Sequence, residues 1–532
     1  MKIILSLLLI VFSIVGIVDS SYITYEKFSE SVSDCGVGSE CGTVLNSEWS
    51  NIGPIPLSLL GFAFYSSLFI LSILNYIEFD LKSQLEKVCN KLSFKKTSIF
   101  RQITIQELIL VATIFGALFS GYLVFLMVIV INAWCKYCLI SAFTSLTLFA
   151  ISSTYYLKYQ KNSPFLIKQV TLSIIHFLYV TIIKKLFFLF DAELIHNLLT
   201  STGKTLGSNK ISQFLTTTFF SFNHSNLEKR IDGITFKNPV GLSAGFDYNG
   251  ELTGILPSVG FGFHTIGTVT YEAYEGNTKP RLGRYSKSKS LLVNKGFKSL
   301  GAKVIAKKLT GLNFSIPTGI SIGSTNKHYN SSEDQIKDIL KTFTIFEKSK
   351  VKHQYYELNI SCPNTFGGQP FTTLDKLKLL LNSLEKLNIS KPIYVKMPID
   401  QSNKETLLML QIINKYNIAG VIFGNLTKDK SNPDVDPADL KAWKLAKGNL
   451  SGKPTWKRSN KLVKLTRKNF KKRFTIIGSG GIFTGENAVK KINDGADLVQ
   501  LITGMIFEGP QVIGQINLRL SLCRLSTKTP KW

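Results

Sequence analysis

The stretch FTIIGSGG, Phe474–Gly481, followed by LVQLITG, Leu498–Gly504, decides the architecture of the second half of the chain. Each is a short, β-rich apolar run that ends in small residues. Working outward, the same pattern recurs at Val240–Ala244, Gly262–Ile266, Thr318–Ile322, Tyr355–Ile360, Ile393–Met397 and Gly420–Phe423, with helical, lysine-bearing stretches between. Eight alternating β/α units predict a TIM (β/α)8 barrel. Most runs end in small or polar residues, such as GFD, IGT, NISCPNT and GN, and in this fold the strand C-terminal ends carry the site. Glycines after the last two strands, Gly480, Gly481 and Gly504, let backbone N–H groups close on a phosphate. A flavin mononucleotide or a sugar phosphate suits that loop.

The first third reads differently. Apolar stretches cover Ile3–Val18, Ile55–Tyr76, Ile105–Ile131 and Leu139–Leu157, and the last three are long enough to cross a hydrocarbon core of roughly 30 Å. The first has a signal-like Lys2 and apolar run but no clear small-x-small cleavage site, so it reads as an uncleaved helix. Together they predict a transmembrane four-helix bundle over residues 1–157, a juxtamembrane linker over 158–177 and the barrel domain over 178–525. The loop Ser83–Arg101 and its flank hold Lys82, Lys87, Lys91, Lys95, Lys96 and Arg101, whereas Asp19–Asn51 holds only Lys27. The positive-inside rule then places the barrel in the cytoplasm and the cysteine loops outside the cell (inner) membrane. Val170–Ile183 is short for a crossing and suits a helix in the interface or docked on the barrel.

Among 532 residues there are seven cysteines and a formal net charge of +28. The lysines are scattered rather than clustered with aromatics, which argues against nucleic acid as a partner. An anionic membrane surface uses that charge better, and a lysine-rich background on solvated faces accounts for it equally well. Cys35, Cys41, Cys135 and Cys138 fall on the same, oxidising side. Cys135-x-x-Cys138 at a helix start favours redox exchange. Structural disulfides remain an alternative, and a zinc ribbon fits poorly because Cys35-x5-Cys41 is too wide.

The first 157 residues resemble the vitamin K epoxide reductase family in its bacterial form, on Cys35-x5-Cys41, Ser47, GPIPLSLLGFAFY and WCKYC. The resemblance implies that Cys135 and Cys138 are the active-centre pair facing a quinone. It implies that Cys35 and Cys41 are the shuttle pair, and that Ser47 hydrogen-bonds near the quinone head. A separate thioredoxin-like protein on the outer side would deliver the thiol electrons.

In YYELNISCPNT, the amides of Asn359 and Asn364 flank Cys362, a set suited to a planar ring with alternating donors and acceptors. Its thiol, with a reference pKa of about 8.5, is a far better base near neutrality than a hydroxyl. From about Tyr179 to Leu522 the chain resembles dihydroorotate dehydrogenases, on ITFKNPVGLSAGFD, GFHTIGTVT, GNTKPRL, NISCPNT, PIYVKM, GNLSGKP, IIGSGGI and ADLVQLITGMIFEGP. IIKKLFFLFDAELIHNLL resembles the membrane-associated helical extension of the quinone-linked class. The resemblance implies FMN held by Ala244, Gly245, Thr268, Asn359, Lys396, Gly452, Gly480, Gly481, Thr503 and Gly504. It implies a pyrimidine held by Asn359, Asn364 and Asn425 beside Phe297, with Cys362 as base and quinone as the final acceptor, a step of pyrimidine biosynthesis.

Departures bear on the substrate. Tyr248 stands where the quinone-linked class has Lys, Val293 where it has Asn, Ser321 and Gly424 where it has Asn and Thr at the flavin, and Cys362 where it has Ser. Lys295 is a candidate to replace the missing cation at the substrate carboxylate. Alternatives are an FMN enzyme for another cyclic amide with the membrane part only an anchor, or a non-catalytic flavin-binding module.

Overall fold

The computed structural model describes residues 2–29, 40–79, 81, 104–159 and 165–526; Cys35 and the basic loop 83–101 lie outside them. The chain divides into two units, Met1–Lys168 and Gln169–Trp532.

In the first unit, α1 (Lys2–Phe28), α2 (Leu57–Tyr76), α3 (Ile105–Phe125) and α4 (Lys136–Tyr159) pack as a bundle. All four are long and apolar enough to cross a membrane. Small residues let them approach: a Cβ at Gly16 would fall 2.3 Å from the Tyr65 ring, as expected where packing rather than water drives helix association. Ser13 and Ser20 satisfy their buried hydroxyls locally, donating to the carbonyls of Leu9 and Gly16 four residues earlier. A capping box of Thr104 and Glu107 opens α3. A π-turn, Leu126–Ile131, and the left-handed Asn132 end it. That break leaves Ala133–Cys135 outside any helix, just ahead of α4.

The division falls within α5 (Phe165–Leu178), which continues in the second unit through a π-turn to Phe188. The continuous segment Ile167–Phe188 is long enough to cross a membrane, so the expectation of a segment too short to cross is corrected. Lys184 and Lys185 do not end the helix. One flank is docked on the barrel, as expected: Tyr179 donates to the Ile506 carbonyl at 2.8 Å, His176 contacts the Glu508 carbonyl at 3.1 Å, and Leu172 is buried. Next come α6 (Ala192–Ser208), capped by Asp191, and a helix at Lys210–Phe220. Their outer faces expose Leu194, Leu198, Ile211, Phe214 and Phe219, an apolar patch of the kind that marks a membrane or protein contact.

Eight parallel strands close the barrel: β1 (Val240–Leu242), β2 (Phe263–Val269), β3 (Thr318–Ile322), β4 (Tyr355–Asn359), β5 (Ile393–Met397), β6 (Gly420–Phe423), β7 (Thr475–Ser479) and β8 (Leu498–Leu501). All eight expected runs are strands, in sequential order, with β8 pairing back to β1. Inside, Phe263, Tyr355, Tyr394, Ile422, Ile477 and Leu498 fill the end opposite the site, with Phe236 packed against them from the hairpin Lys229–Phe236. The larger core lies between the strands and the outer helices. Packing the barrel at one end leaves a single open end for chemistry.

Candidate functional site

Ends of different strands converge on one cavity. Ala244 and Gly245 follow β1, Thr268 lies on β2, Asn359 ends β4, Lys396 lies on β5, Asn425 follows β6, Gly480 and Gly481 follow β7, and Thr503 and Gly504 follow β8. Gly452 and the loop residues Cys362, Asn364, Lys295 and Phe297 complete the lining. All ten positions expected for FMN, and all those expected for a pyrimidine, thus face one space.

The amides are oriented by their neighbours. Ser361 Oγ donates to Asn359 Oδ1 at 3.0 Å and accepts from Asn425 Nδ2 at 2.7 Å. Asn359 Nδ2 donates to Thr268 Oγ1 at 2.8 Å. Asn364 donates to the Val293 carbonyl and accepts from Asn449 at 2.6 Å. These bonds fix which edge of each amide remains for a ligand.

Lys396 is held by Ser243 Oγ at 3.1 Å and Glu357 Oε1 at 3.2 Å. Behind the glycine loop, positive φ of 84° at Gly480 and 70° at Gly481 excludes side chains. A Cβ on Gly480 would meet Thr455 Oγ1 at 2.4 Å. Such a backbone cradle, with a lysine across the cavity, fits a phosphate-bearing flavin. Buried Lys491 braces the loop from below, donating to Ser459 Oγ and to the Ser479 carbonyl.

Burial pushes the Cys362 thiol up to about 11, against the backbone N–H of Asn364 and the charge of Lys396. The reference value used above therefore overstates how readily this thiol ionises. Lys295 lines the cavity, but its ammonium is paired with Glu193 at 2.5 Å and lies 5.6 Å from the Tyr248 ring centroid. Arg281 holds the same carboxylate with Nε at 3.0 Å and Nη2 at 2.9 Å. Burial opposes the Glu193 charge, yet Arg281 and Lys295 together hold its carboxyl down at about 2.

The sequence reading missed Glu193 and His196. Both come from the first turns of α6, and only folding brings them to the barrel mouth. His196 packs edge-on against Phe246 and beside Tyr248, and burial, with Lys295 nearby, pushes its imidazole down to about 4. Glu357 and Ser243 were missed too, because their only signal is strand alternation beside Lys396.

In the first unit a second cavity is lined by Lys27, Ser47, Tyr65, Phe115, Cys138 and Ser141 among others. Cys138 faces it, whereas Cys135 is fully buried in an apolar cluster with Cys41 and Met127. Cys138 packs against the same cluster, so the two members of the expected active-centre pair lie side by side, and Cys138 alone of the two also lines the cavity. Both are free thiols, and Cys41 is disulfide-bonded. The Cys138 backbone N–H points to Cys135 Sγ at 3.4 Å. Hydrogen bonding from Cys138 draws the Cys135 thiol below its usual range, against burial and the charge of Asp19. Asp19 lies on the buried face of α1, and its Oδ2 has no hydrogen-bond partner among the described residues. No metal-ligating cluster of His, Cys, Asp or Glu occurs among the described residues.

Known proteins match both units. Residues 7–153 match the vitamin K epoxide reductase family, and residues 226–522 match dihydroorotate dehydrogenase. A dihydroorotate dehydrogenase (quinone) of Christiangramia forsetii is 35% identical over 352 residues, covering 64% of this chain and 98% of that protein. One of Trichodesmium erythraeum is 36% identical over 304 residues, covering 56% and 79%. The crystal structure of the Eimeria tenella enzyme in complex with ferulenol aligns with a TM-score of 0.52 at 27% identity, covering 62% of this chain and 90% of that one. Its ligand-free form aligns at 0.54 and 26%, covering 62% and 94%. With over half its length matched and its barrel complete, the chain belongs to the dihydroorotate dehydrogenase family and carries a vitamin K epoxide reductase-like membrane unit ahead of the barrel.

Proposed function

We propose that the protein is a membrane-bound, bifunctional oxidoreductase whose barrel oxidises dihydroorotate to orotate with FMN and passes the electrons to a quinone. The observation that carries this reading is the convergence of Cys362, three asparagine amides, Lys396 and the glycine loop on one cavity. When bound, FMN supplies the two-electron acceptor for the substrate's hydride. Cys362 takes the proton from the neighbouring ring carbon, while Asn359, Asn364 and Asn425 hold the ring's amide edges. Gly480, Gly481, Gly452, Thr503 and Gly504 hold the phosphate end. Lys295, steadied by Glu193, supplies a cation beside Tyr248, where the quinone-linked class has Lys. The apolar outer face of α6 and the following helix suits docking on the bilayer that holds the quinone.

The membrane unit, in this reading, oxidises thiols at the expense of quinone. A thioredoxin-like partner outside reduces the Cys41 disulfide, whose other member is Cys35 by the family resemblance. That pair then reduces a Cys135–Cys138 disulfide. The two thiols afterwards lose two electrons and two protons to quinone, reforming one S–S bond and giving quinol. The packing of Cys135 and Cys138 in one cluster with Cys41, and the place of Cys138 in the cavity wall with Ser47, support this order. The protein sits as a multi-pass protein of the inner membrane, with the cysteine loops outside and the barrel in the cytoplasm. Both units then share an acceptor rather than a substrate.

The test is anaerobic. Dihydroorotate added to the detergent-purified chain is expected to bleach the flavin band near roughly 450 nm, and a quinone to restore it. A yellow protein that dihydroorotate does not bleach would favour another cyclic amide, a reading motivated by Tyr248 and Val293 in the cavity wall. A colourless protein would refute the flavin assignment.

A further inference from the structure

Strand β4 alternates Tyr355, Glu357 and Asn359, and β5 pairs with it in register, with Tyr394 beside Glu357 and Lys396 beside Asn359. Tyr355 and Tyr394 belong to the packed end of the barrel, whereas Asn359 and Lys396 line the cavity. Glu357 lies between these levels and is fully buried. Its Oε1 is 3.2 Å from Lys396 Nζ and accepts from Ser321 Oγ on β3 at 3.0 Å. Its Oε2 has no hydrogen-bond partner among the described residues. A half-satisfied buried carboxylate is costly, and an apolar residue would fill a barrel interior at less expense. Its presence calls for an explanation.

The explanation lies with Lys396, whose ammonium also donates to Ser243 Oγ. We infer that Glu357 is a positioning and charge-tuning residue for the flavin chemistry, holding Lys396 at the cavity floor and cancelling part of its charge. The inference rests on the FMN reading above. An uncompensated ammonium in a low-dielectric site strongly favours the electron-rich, reduced form of a flavin beside it. A carboxylate 3.2 Å from that ammonium turns a point charge into a dipole, whose field dies away faster with distance. The reduced form is then stabilised less, and electrons leave more readily for the acceptor. Ser321 contributes by being small: it leaves room for the carboxylate and gives it one hydroxyl.

The experiment is the reduction potential of FMN bound to the full chain in detergent, measured by anaerobic titration against reference dyes. Glu357→Gln keeps the shape and removes the charge, so the potential shifts upward. Affinity for sulfite, a nucleophile that adds to electron-poor flavins, rises about tenfold, as expected for losing one opposite charge at this range. Ser321→Ala keeps the charge and leaves the potential near that of the wild type. An unchanged or lowered potential in Glu357→Gln with FMN bound overturns the inference, as does an equal shift in Ser321→Ala. Should Glu357→Gln not fold, Glu357→Asp, which draws the charge back from Lys396, is read instead: a smaller upward shift is expected, and none overturns it. A wild type that holds no FMN would instead refute the flavin reading, a separable result.

Discussion

Glu193, in the first turn of α6, and Lys295, on the loop before Phe297, form a 2.5 Å ion pair, both side chains more than nine-tenths buried. The pair ties the helical extension to the mouth of the barrel, with Arg281 on the other side of the same carboxylate.

Glu193→Gln leaves two buried cations without their counter-charge and is expected to cost about 3 kcal/mol, the low end for breaking a buried pair. Denaturant unfolding of the detergent-solubilised chain measures this. The pH dependence has a definite sign. The folded carboxyl sits near 2, below its ordinary value of 4.5, so its stabilisation is present above about 4.5 and is lost as pH falls toward 2. The wild type should lose stability through that window, and Glu193→Gln should not lose this component.

Cys362, with its thiol raised to about 11 by burial, gives a reductive half-reaction that speeds up with pH across the neutral and alkaline range. Cys362→Ala removes the base and should slow flavin bleaching by about 10²–10⁴-fold while FMN stays bound. Stopped-flow traces at several pH values check both. A rate flat between neutral and alkaline pH would assign the proton to another group.

Gly480→Ala places a Cβ where Thr455 Oγ1 already lies at 2.4 Å, at a φ of 84°. FMN retention through gel filtration should fall at least about tenfold, from strain of about 1–3 kcal/mol at the cradle. Gly311→Ala, at a similar φ of 86° but in open space, should retain FMN normally.

In the membrane unit, Cys138→Ala and Cys135→Ala should each abolish quinone-dependent protection of the remaining thiol from maleimide, since one S–S bond needs both. Dihydroorotate oxidation by the barrel should persist in both variants.

What the sequence by itself determined is whatever depends on neighbours along the chain. Runs such as Ile393–Met397 and the glycines at 480 and 481 announced eight strands and the end at which they carry function, because alternation and turn chemistry are local. The spacing Cys135-x-x-Cys138 similarly announced a dithiol at a helix start. Tertiary structure alone decided the rest. The continuity of the helix through Lys184 to Phe188 depends on docking against the barrel, which no local charge pattern reports. Which cysteine meets the cavity follows from how Asn132 breaks α3 and aims the next turn. Glu193 and Lys295 stand 102 residues apart, and Glu357 meets Lys396 only because parallel strands pair in one register around a closed barrel. Such contacts are properties of closure and packing, so the charges that tune this site become visible only once the chain has folded.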